Sequence, residues 1–316
     1  MATRPANDVV IRSHTHGGFR YTSRVVTSRP ASGVTPIVLV GGAFQRKESW
    51  GRLEKALTDY ATVITVDLPG WGDSDDLPAA YGFEFVADAL AHLLDDLGRP
   101  WVHLAGGSYG TAVVWRLAQL RPGRVGRVVL VGTMPRLSER IRDGIRHTLE
   151  LLDTGDIEQF ATATVDVFMR GGTRRRVVNK DVIRRILVRN FSSASDRERE
   201  KYRNNSLRLL KEDSALSPEP PVLAPTLCVT GEHDDFTGPA ACREVARYCA
   251  DGHVAIVSDA DHLVHLERPA EVADLFIRFF DGQPLAGLEY CSLLERVGRP
   301  VPGPAARLSP RPAPVP

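Results

Sequence analysis

Trp101-Val-His-Leu-Ala-Gly-Gly-Ser-Tyr-Gly-Thr-Ala-Val-Val-Trp-Arg-Leu-Ala-Gln-Leu120 is the stretch that decides the fold. Trp101–Ala105 is a short apolar run of strand type, and Tyr109–Leu120 reads as a helix closed by Arg121-Pro-Gly123. Between them stands Gly106-Gly107-Ser108-Tyr109-Gly110, a G-x-S-x-G pattern. A nucleophilic serine needs its Oγ exposed at the C-terminal edge of a sheet, so the chain must turn sharply there and strain the serine's backbone. Strand and helix then pass so close that the positions two away on either side must be small. Gly106 and Gly110 meet that need. With 27 glycines in the chain, the bare pattern would arise by chance in about one such sequence in ten, so its place between strand and helix carries the weight. The competing reading is a phosphate-binding glycine turn. It would require G-x-G-x-x-G, and Ala112 and Val113 stand beyond Gly110 instead.

Outward from this stretch, apolar runs of four to seven residues alternate with helical patterns, the rhythm of a largely parallel sheet. On the N-terminal side, Val9–Ser13 and Phe19–Thr27 read as a hairpin turned at Gly17-Gly18. Pro36–Val40 and Ala61–Val66 read as strands, and Ser49–Asp59 and Phe83–Leu97 as helices. On the C-terminal side, Val125–Val131, Thr226–Thr230 and His253–Val257 read as strands, with helices at Pro239–Cys249 and Ala270–Phe280. Between Pro135 and Pro221 the rhythm breaks into a strand-poor, arginine-rich helical segment that ends in Ser217-Pro-Glu-Pro-Pro221. Residues 1–134 and 222–281 are therefore read as one core, with 135–221 as a helical lid inserted into it. Residues 282–316 form a weakly patterned extension whose Pro-rich end, Pro300–Pro316, has no core-forming pattern and is read as disordered.

Serine at its free pKa is a poor nucleophile and needs a base within hydrogen-bond reach. His262 lies in Asp259-Ala-Asp-His-Leu-Val-His-Leu-Glu-Arg-Pro269, after the last strand of the core and before its last helix. His265 is its rival in the same segment, and His262 is preferred because it comes first after the strand. The base in turn needs an acid to orient the imidazole and stabilise its cation. Gly231-Glu-His-Asp-Asp-Phe-Thr237, one strand earlier, offers Glu232, Asp234 and Asp235. No carboxylate competes from Val131-Gly-Thr-Met134.

Together these residues resemble the α/β-hydrolase superfamily over roughly Val9 to Asp281, with the chain order Ser, Asp, His. The resemblance implies an eight-stranded, mostly parallel sheet with helices on both faces and a helical lid. In that family the acid commonly stands in a G-E-x-D segment, which selects Asp234. The base commonly opens G-H-x-x-x-x-E-x-P, which selects His262, with Asp261 replacing the glycine. Asp67-Leu-Pro-Gly-Trp-Gly-Asp-Ser74 is similar to the family's D-x-P-G-x-G-x-S turn and is read as architectural, with Trp71 near the site. One departure is visible: where the family carries His-Gly after the third strand, this chain has Gly41-Gly-Ala-Phe44. An oxyanion hole needs backbone N–H groups, not a particular side chain, so Ala43 and Tyr109 are the expected donors.

A serine at position 108 argues against the dehalogenases and epoxide hydrolases of this fold, which use aspartate there. No dinucleotide fingerprint or metal-ligand spacing is visible, so a cofactor-free mechanism is expected. The resemblance implies attack by Ser108 on a carboxylic ester, thioester or lactone. An acyltransferase, or a non-catalytic ligand-binding protein on the same fold, are the alternatives.

Bulk properties narrow the partners. The 316 residues are 43% hydrophobic and 25% charged, an ordinary globular balance. A net charge of +1 gives no drive towards nucleic acid or an anionic membrane. The apolar runs are too short to span a bilayer, and Met1–Val10 lacks the apolar run of a secretory signal. Cys228, Cys242, Cys249 and Cys291 lack CxxC spacing and read as free thiols of a reducing cytoplasm. Basic charge is almost all arginine, with Lys only at 47, 55, 180, 201 and 211, as in a GC-rich, actinomycete-like bacterium. Residues 135–221 hold 18 Arg and Lys against 14 Asp and Glu, including Arg174-Arg-Arg176 and Arg184-Arg185. These are read as a docking face for a CoA or carrier-protein thioester or, more simply, as solvated helix faces. Leu149, Leu151, Leu152, Ile157, Phe160, Val165 and Phe168 are read either as pocket lining or as the lid's own packing.

Overall fold

The computed structural model describes residues 8–27, 33–169, 177–212 and 216–297. Nine strands form one sheet: β1 (Asp8–His16), β2 (Phe19–Thr27), β3 (Ile37–Val40), β4 (Val63–Asp67), β5 (Val102–Gly107), β6 (Val125–Val131), β7 (Thr226–Gly231), β8 (Gly252–Val257) and β9 (Cys291–Arg296). Ten helices accompany them among the described residues: α1 (Gly51–Thr58), α2 (Phe83–Asp96), α3 (Gly110–Leu120), α4 (Glu139–Thr154), α5 (Ile157–Phe168), α6 (Lys180–Ser192), α7 (Asp196–Lys211), α8 (Pro239–Ala246), α9 (Val264–Glu267) and α10 (Pro269–Asp281). The spatial order is β1-β2-β4-β3-β5-β6-β7-β8-β9. β4, β3, β5, β6, β7 and β8 run parallel to one another, and antiparallel pairs close both edges.

The expectation of eight strands is corrected by β9, which lies in the extension and pairs antiparallel with β8. It occupies a sheet edge and is only half-buried, so it needs few apolar residues and leaves little pattern in the sequence. Pro300–Pro316 and Arg174–Arg176 lie outside the described residues.

The period of two along each strand divides the core. Val38 and Val40 of β3, with Leu104, Val128, Cys228 and Val254, face one layer that includes α2, α3 and α8. Ile37 and Leu39, with Ala105, Val129, Leu227 and Ala255, face a second layer that includes α1, α9 and α10. Strands buried on both faces read as continuous apolar runs, which is why β3 is Ile-Val-Leu-Val.

Between β6 and β7 the chain leaves the sheet for α4, α5, α6 and α7. Their starts are set locally. Ser138 caps α4 through the Ile141 N–H, and Ser195 and Glu198 form a reciprocal capping box on α7. Leu149, Phe160 and Tyr202 pack as one small core, with Leu151 and Leu152 against it; Val165, Ile183 and Phe191 make a second. No helix among the described residues is long and apolar enough to cross a membrane.

Candidate active site

β5 ends at Gly107 and α3 begins at Gly110, so the chain reverses in two residues and Ser108 takes φ +47°. A non-glycine residue in the left-handed region is strained, and packing around it must hold it there. A Cβ added at Gly106 would stand 2.7 Å from the Gly110 carbonyl oxygen, and one at Gly110 would stand 2.4 Å from that of Val40. The Ser108 N–H donates to the Val131 carbonyl at 2.7 Å, tying the turn to β6. Ser108 itself remains partly exposed.

The loop after β8 lowers His262 onto it: Ser108 Oγ lies 3.0 Å from His262 Nε2. His262 Nδ1 lies 3.1 Å from Asp234 Oδ2, which the loop after β7 supplies. An ionised carboxylate can only accept, so Nδ1 carries the proton and Nε2 is left to accept from the serine hydroxyl. Asp234 is buried, and Thr230 Oγ1 donates to Oδ2 at 2.7 Å. The Phe236 and Thr237 N–H groups donate to Oδ1 at 2.8 and 2.7 Å. Burial alone would raise its pKa, but His262 and the threonine hydroxyls outweigh burial and hold it at about 2. Asp234 is therefore a fixed anion.

The rivals fall elsewhere. His265 is buried with its ring 5.5 Å from that of Trp50, and burial, reinforced by His262, pushes its pKa down to about 4. Glu232 accepts the Asp259 N–H, and Asp235 lies beside Arg140, which donates to its carbonyl.

The loop after β3 passes directly against the serine: a Cβ on Gly42 would meet Ser108 Cβ and the Gly107 carbonyl oxygen, each at 3.2 Å. Among the described residues, the Ala43 and Tyr109 N–H groups donate to no protein acceptor, whereas Gly42 N–H is taken by Gln45 Oε1 at 2.9 Å. Gln45 N–H and Trp71 Nε1–H both donate to the Gly42 carbonyl, at 3.1 and 3.2 Å. These bonds brace a loop that lacks the histidine expected there. Lys47, just beyond it, donates through N and Nζ to the buried Asp67 at 2.7 and 2.9 Å. The Asp67–Ser74 turn thus supports the loop from below.

Above Ser108 lies a cavity of about 630 Å³ reaching up among α4, α5, α6 and α7. Phe44, Met134, Phe168, Leu187, Phe191 and Leu263 give it an apolar wall. Of the seven apolar residues singled out in residues 149–168, only Phe168 lines it. The arginine pattern resolves mostly into local pairing: Arg184 meets Asp166, Arg199 meets Asp196, and Arg203 meets Asp153. All four cysteines are free thiols.

Thr230 and Thr237 carry no motif in the sequence, although each stands within four residues of the acid it serves, and Gln45, which the sequence offers as either a polar contact for this loop or a solvated side chain, makes the contact. A hydroxyl or amide at such short range of an acid or a turn is the one signal that could have found them.

Residues 35–269 match the sequence family described as alpha/beta hydrolase fold. The chain is 26% identical over 247 residues to the sn-1-specific diacylglycerol lipase ABHD11 of Mus musculus, covering 77% of this chain and 80% of that protein. The solved enol-lactonase from Burkholderia xenovorans LB400 superposes with a TM-score of 0.70 at 23% identity, over 85% of this chain and 100% of that one. A thermophilic esterase from Thermogutta terrifontis does so with a TM-score of 0.70 at 23% identity, over 88% and 99%. At such identities the two structures speak for the fold alone.

Proposed function

The chain belongs to the α/β-hydrolase fold family, and from that premise we propose that it is a cofactor-independent serine hydrolase cleaving an apolar carboxylic ester, thioester or lactone. The observation that carries this reading is the hydrogen-bonded series Ser108 Oγ, His262 Nε2, His262 Nδ1, Asp234 Oδ2, at 3.0 and 3.1 Å, hung on a strained serine. The mouse relative, a diacylglycerol lipase, is consistent with acyl chemistry.

In this reading Ser108 Oγ attacks the acyl carbon while its proton passes to His262 Nε2. The oxyanion that forms is received by the Ala43 and Tyr109 N–H groups, the two left free beside the serine. Collapse breaks the bond to the alkoxide or thiolate, which takes the proton from His262, and an acyl group remains on Ser108. Water then gives its proton to His262 and releases the acid. Asp234, anionic throughout, keeps the imidazole in the required tautomer and stabilises its cation. The cavity's apolar wall fits an uncharged acyl or alcohol group, and its volume corresponds to about twenty methylene-sized groups at ~30 Å³ each.

A fluorophosphonate probe tests this directly. A stoichiometric adduct on Ser108, mapped by peptide mass spectrometry and strongly slowed in His262→Ala, is expected. A folded protein that takes no adduct at Ser108 would remove the reading.

A further inference from the structure

We propose that the ion pair between Lys180 and Asp261 latches the helical insertion onto the loop carrying His262, and that both residues are positioning residues for that base. The inference rests on the serine-hydrolase reading of the same site. Asp261 is the residue that departs from the family's glycine immediately before the histidine, and its carboxylate is occupied on both sides. Oδ1 accepts the His262 N–H at 2.9 Å, and Oδ2 accepts from Lys180 Nζ at 3.0 Å. The two side chains are only 6% and 13% exposed. A second bond runs alongside, from the Val178 N–H to the Asp259 carbonyl at 3.1 Å. The acid loop is held in the same way: Arg140 of α4 donates to the Asp235 carbonyl at 2.7 Å. The insertion therefore touches both loops that carry the groups behind Ser108.

The pair is more than a surface contact. A carboxylate as buried as that of Asp261 is costly to keep once it is deprived of its cation. The loop can then keep its shape only while the insertion supplies Lys180, so closure of the insertion and alignment of His262 are one event. Lys180 also opens α6, where the helix dipole disfavours a cation. Asn179 before it adopts φ +59° and caps nothing with its side chain. The start of α6 is thus poor as a helix start and well placed for Asp261.

The test is a cycle of Lys180→Met, Asp261→Asn and the double variant, read by the pH dependence of fluorophosphonate labelling at Ser108 and by backbone hydrogen exchange of residues 178–192. Lys180→Met leaves a negative charge beside His262, so the imidazolium forms more readily and the acid limb should move to higher pH. Asp261→Asn leaves a positive charge, so the limb should move to lower pH. The double variant should return close to the parent. Shifts of about half a unit, threefold in rate on the limb, are expected. The other groups facing His262 are Asp234 and His265, with Glu267, His233, Asp235 and Arg140 around the seam, and all are unchanged across the cycle. Exchange in 178–192 should quicken about tenfold or more in each single variant.

Limbs that stay put in both single variants, that move the same way, or that stay far from the parent's in the double variant would overturn the latch. If Lys180→Met does not fold, Asp261→Asn alone decides by the direction of its shift. If the parent protein takes no label, the serine-hydrolase reading fails, and exchange decides the latch by itself: faster exchange in the single variants supports it and unchanged exchange sinks it.

Discussion

Arg208 Nη1, on a wholly buried guanidinium of α7, lies 3.0 Å from the hydroxyl of Tyr109, the residue that follows Ser108. Its remaining N–H groups meet Asn205 Oδ1 at 2.6 Å and the carbonyls of Leu77, Pro78 and Tyr81. One cation thereby joins the inserted helices, the segment after β4 and the turn that carries the serine. Burial pushes the Tyr109 phenol up to about 12, a rise that Arg208 moderates, so the phenol stays neutral at working pH.

The planar fork matches this set of acceptors, and a lysine ammonium cannot. Arg208→Lys should therefore destabilise the protein by about 3 kcal/mol, the cost of leaving several buried acceptors unmet around a displaced charge. Urea unfolding measures it. A loss below about 0.5 kcal/mol, the range of ordinary surface changes, would show that the network is not structural.

Gln45 is expected to matter for rate and little for binding. Its amide oxygen takes the Gly42 N–H and leaves Ala43 as the next free donor in the loop. In Gln45→Ala that brace is lost and the oxyanion donor is less well held in the transition state. kcat should fall about tenfold, equivalent to ~1.4 kcal/mol, with KM within about twofold. Steady-state kinetics on an ester that the parent protein cleaves separates the two. A rise in KM at unchanged kcat would place Gln45 in substrate binding instead.

Thr237 lies between acid and base. Its Oγ1 donates to Asp234 Oδ2 and sits 3.0 Å from His262 Nδ1. Valine keeps the shape and removes the hydroxyl, so Thr237→Val should lower kcat/KM about tenfold, ~1.4 kcal/mol, and Thr237→Ser should restore most of it. If serine fails to rescue, the methyl group and not the hydroxyl is what matters at this position.

Strands with both faces covered, such as Ile37–Val40, announced themselves as apolar runs, and the glycine-flanked serine announced its turn. β9 did not, because a half-exposed edge strand packs on one side and buries little. His262 and Asp234 could be nominated from their positions after β8 and β7, since the topology brings the carboxyl ends of parallel strands together. Pairs such as Lys180 and Asp261, 81 residues apart, follow from no local period. They depend on how the insertion settles on the sheet, which hydrophobic patterning leaves open.

Glu267 is a buried acid that the proposed chemistry does not use. Its Oε2 accepts the Asp261 N–H at 2.6 Å, while Oε1 is buried with no hydrogen-bond partner among the described residues. Burial, opposed by the Asp261 N–H bond and reinforced by the charges of Asp261 and Asp234, pushes its pKa from 4.5 up to about 8. A carboxyl with a raised folded-state pKa binds its proton more tightly in the native state than in the unfolded chain. Between about pH 4.5 and about pH 8 the native state therefore holds the extra proton, and stability falls as pH rises through that window. Glutamine keeps the acceptor for Asp261 N–H and carries no proton to lose. Glu267→Gln should match the parent near the bottom of the window and exceed it by about 2 kcal/mol or more near the top. Urea unfolding at a series of pH values reads the gap directly. A gap that widens with pH places the ionisation of Glu267 in the folded protein, and a gap that stays constant means that this carboxyl is already charged at the bottom of the window.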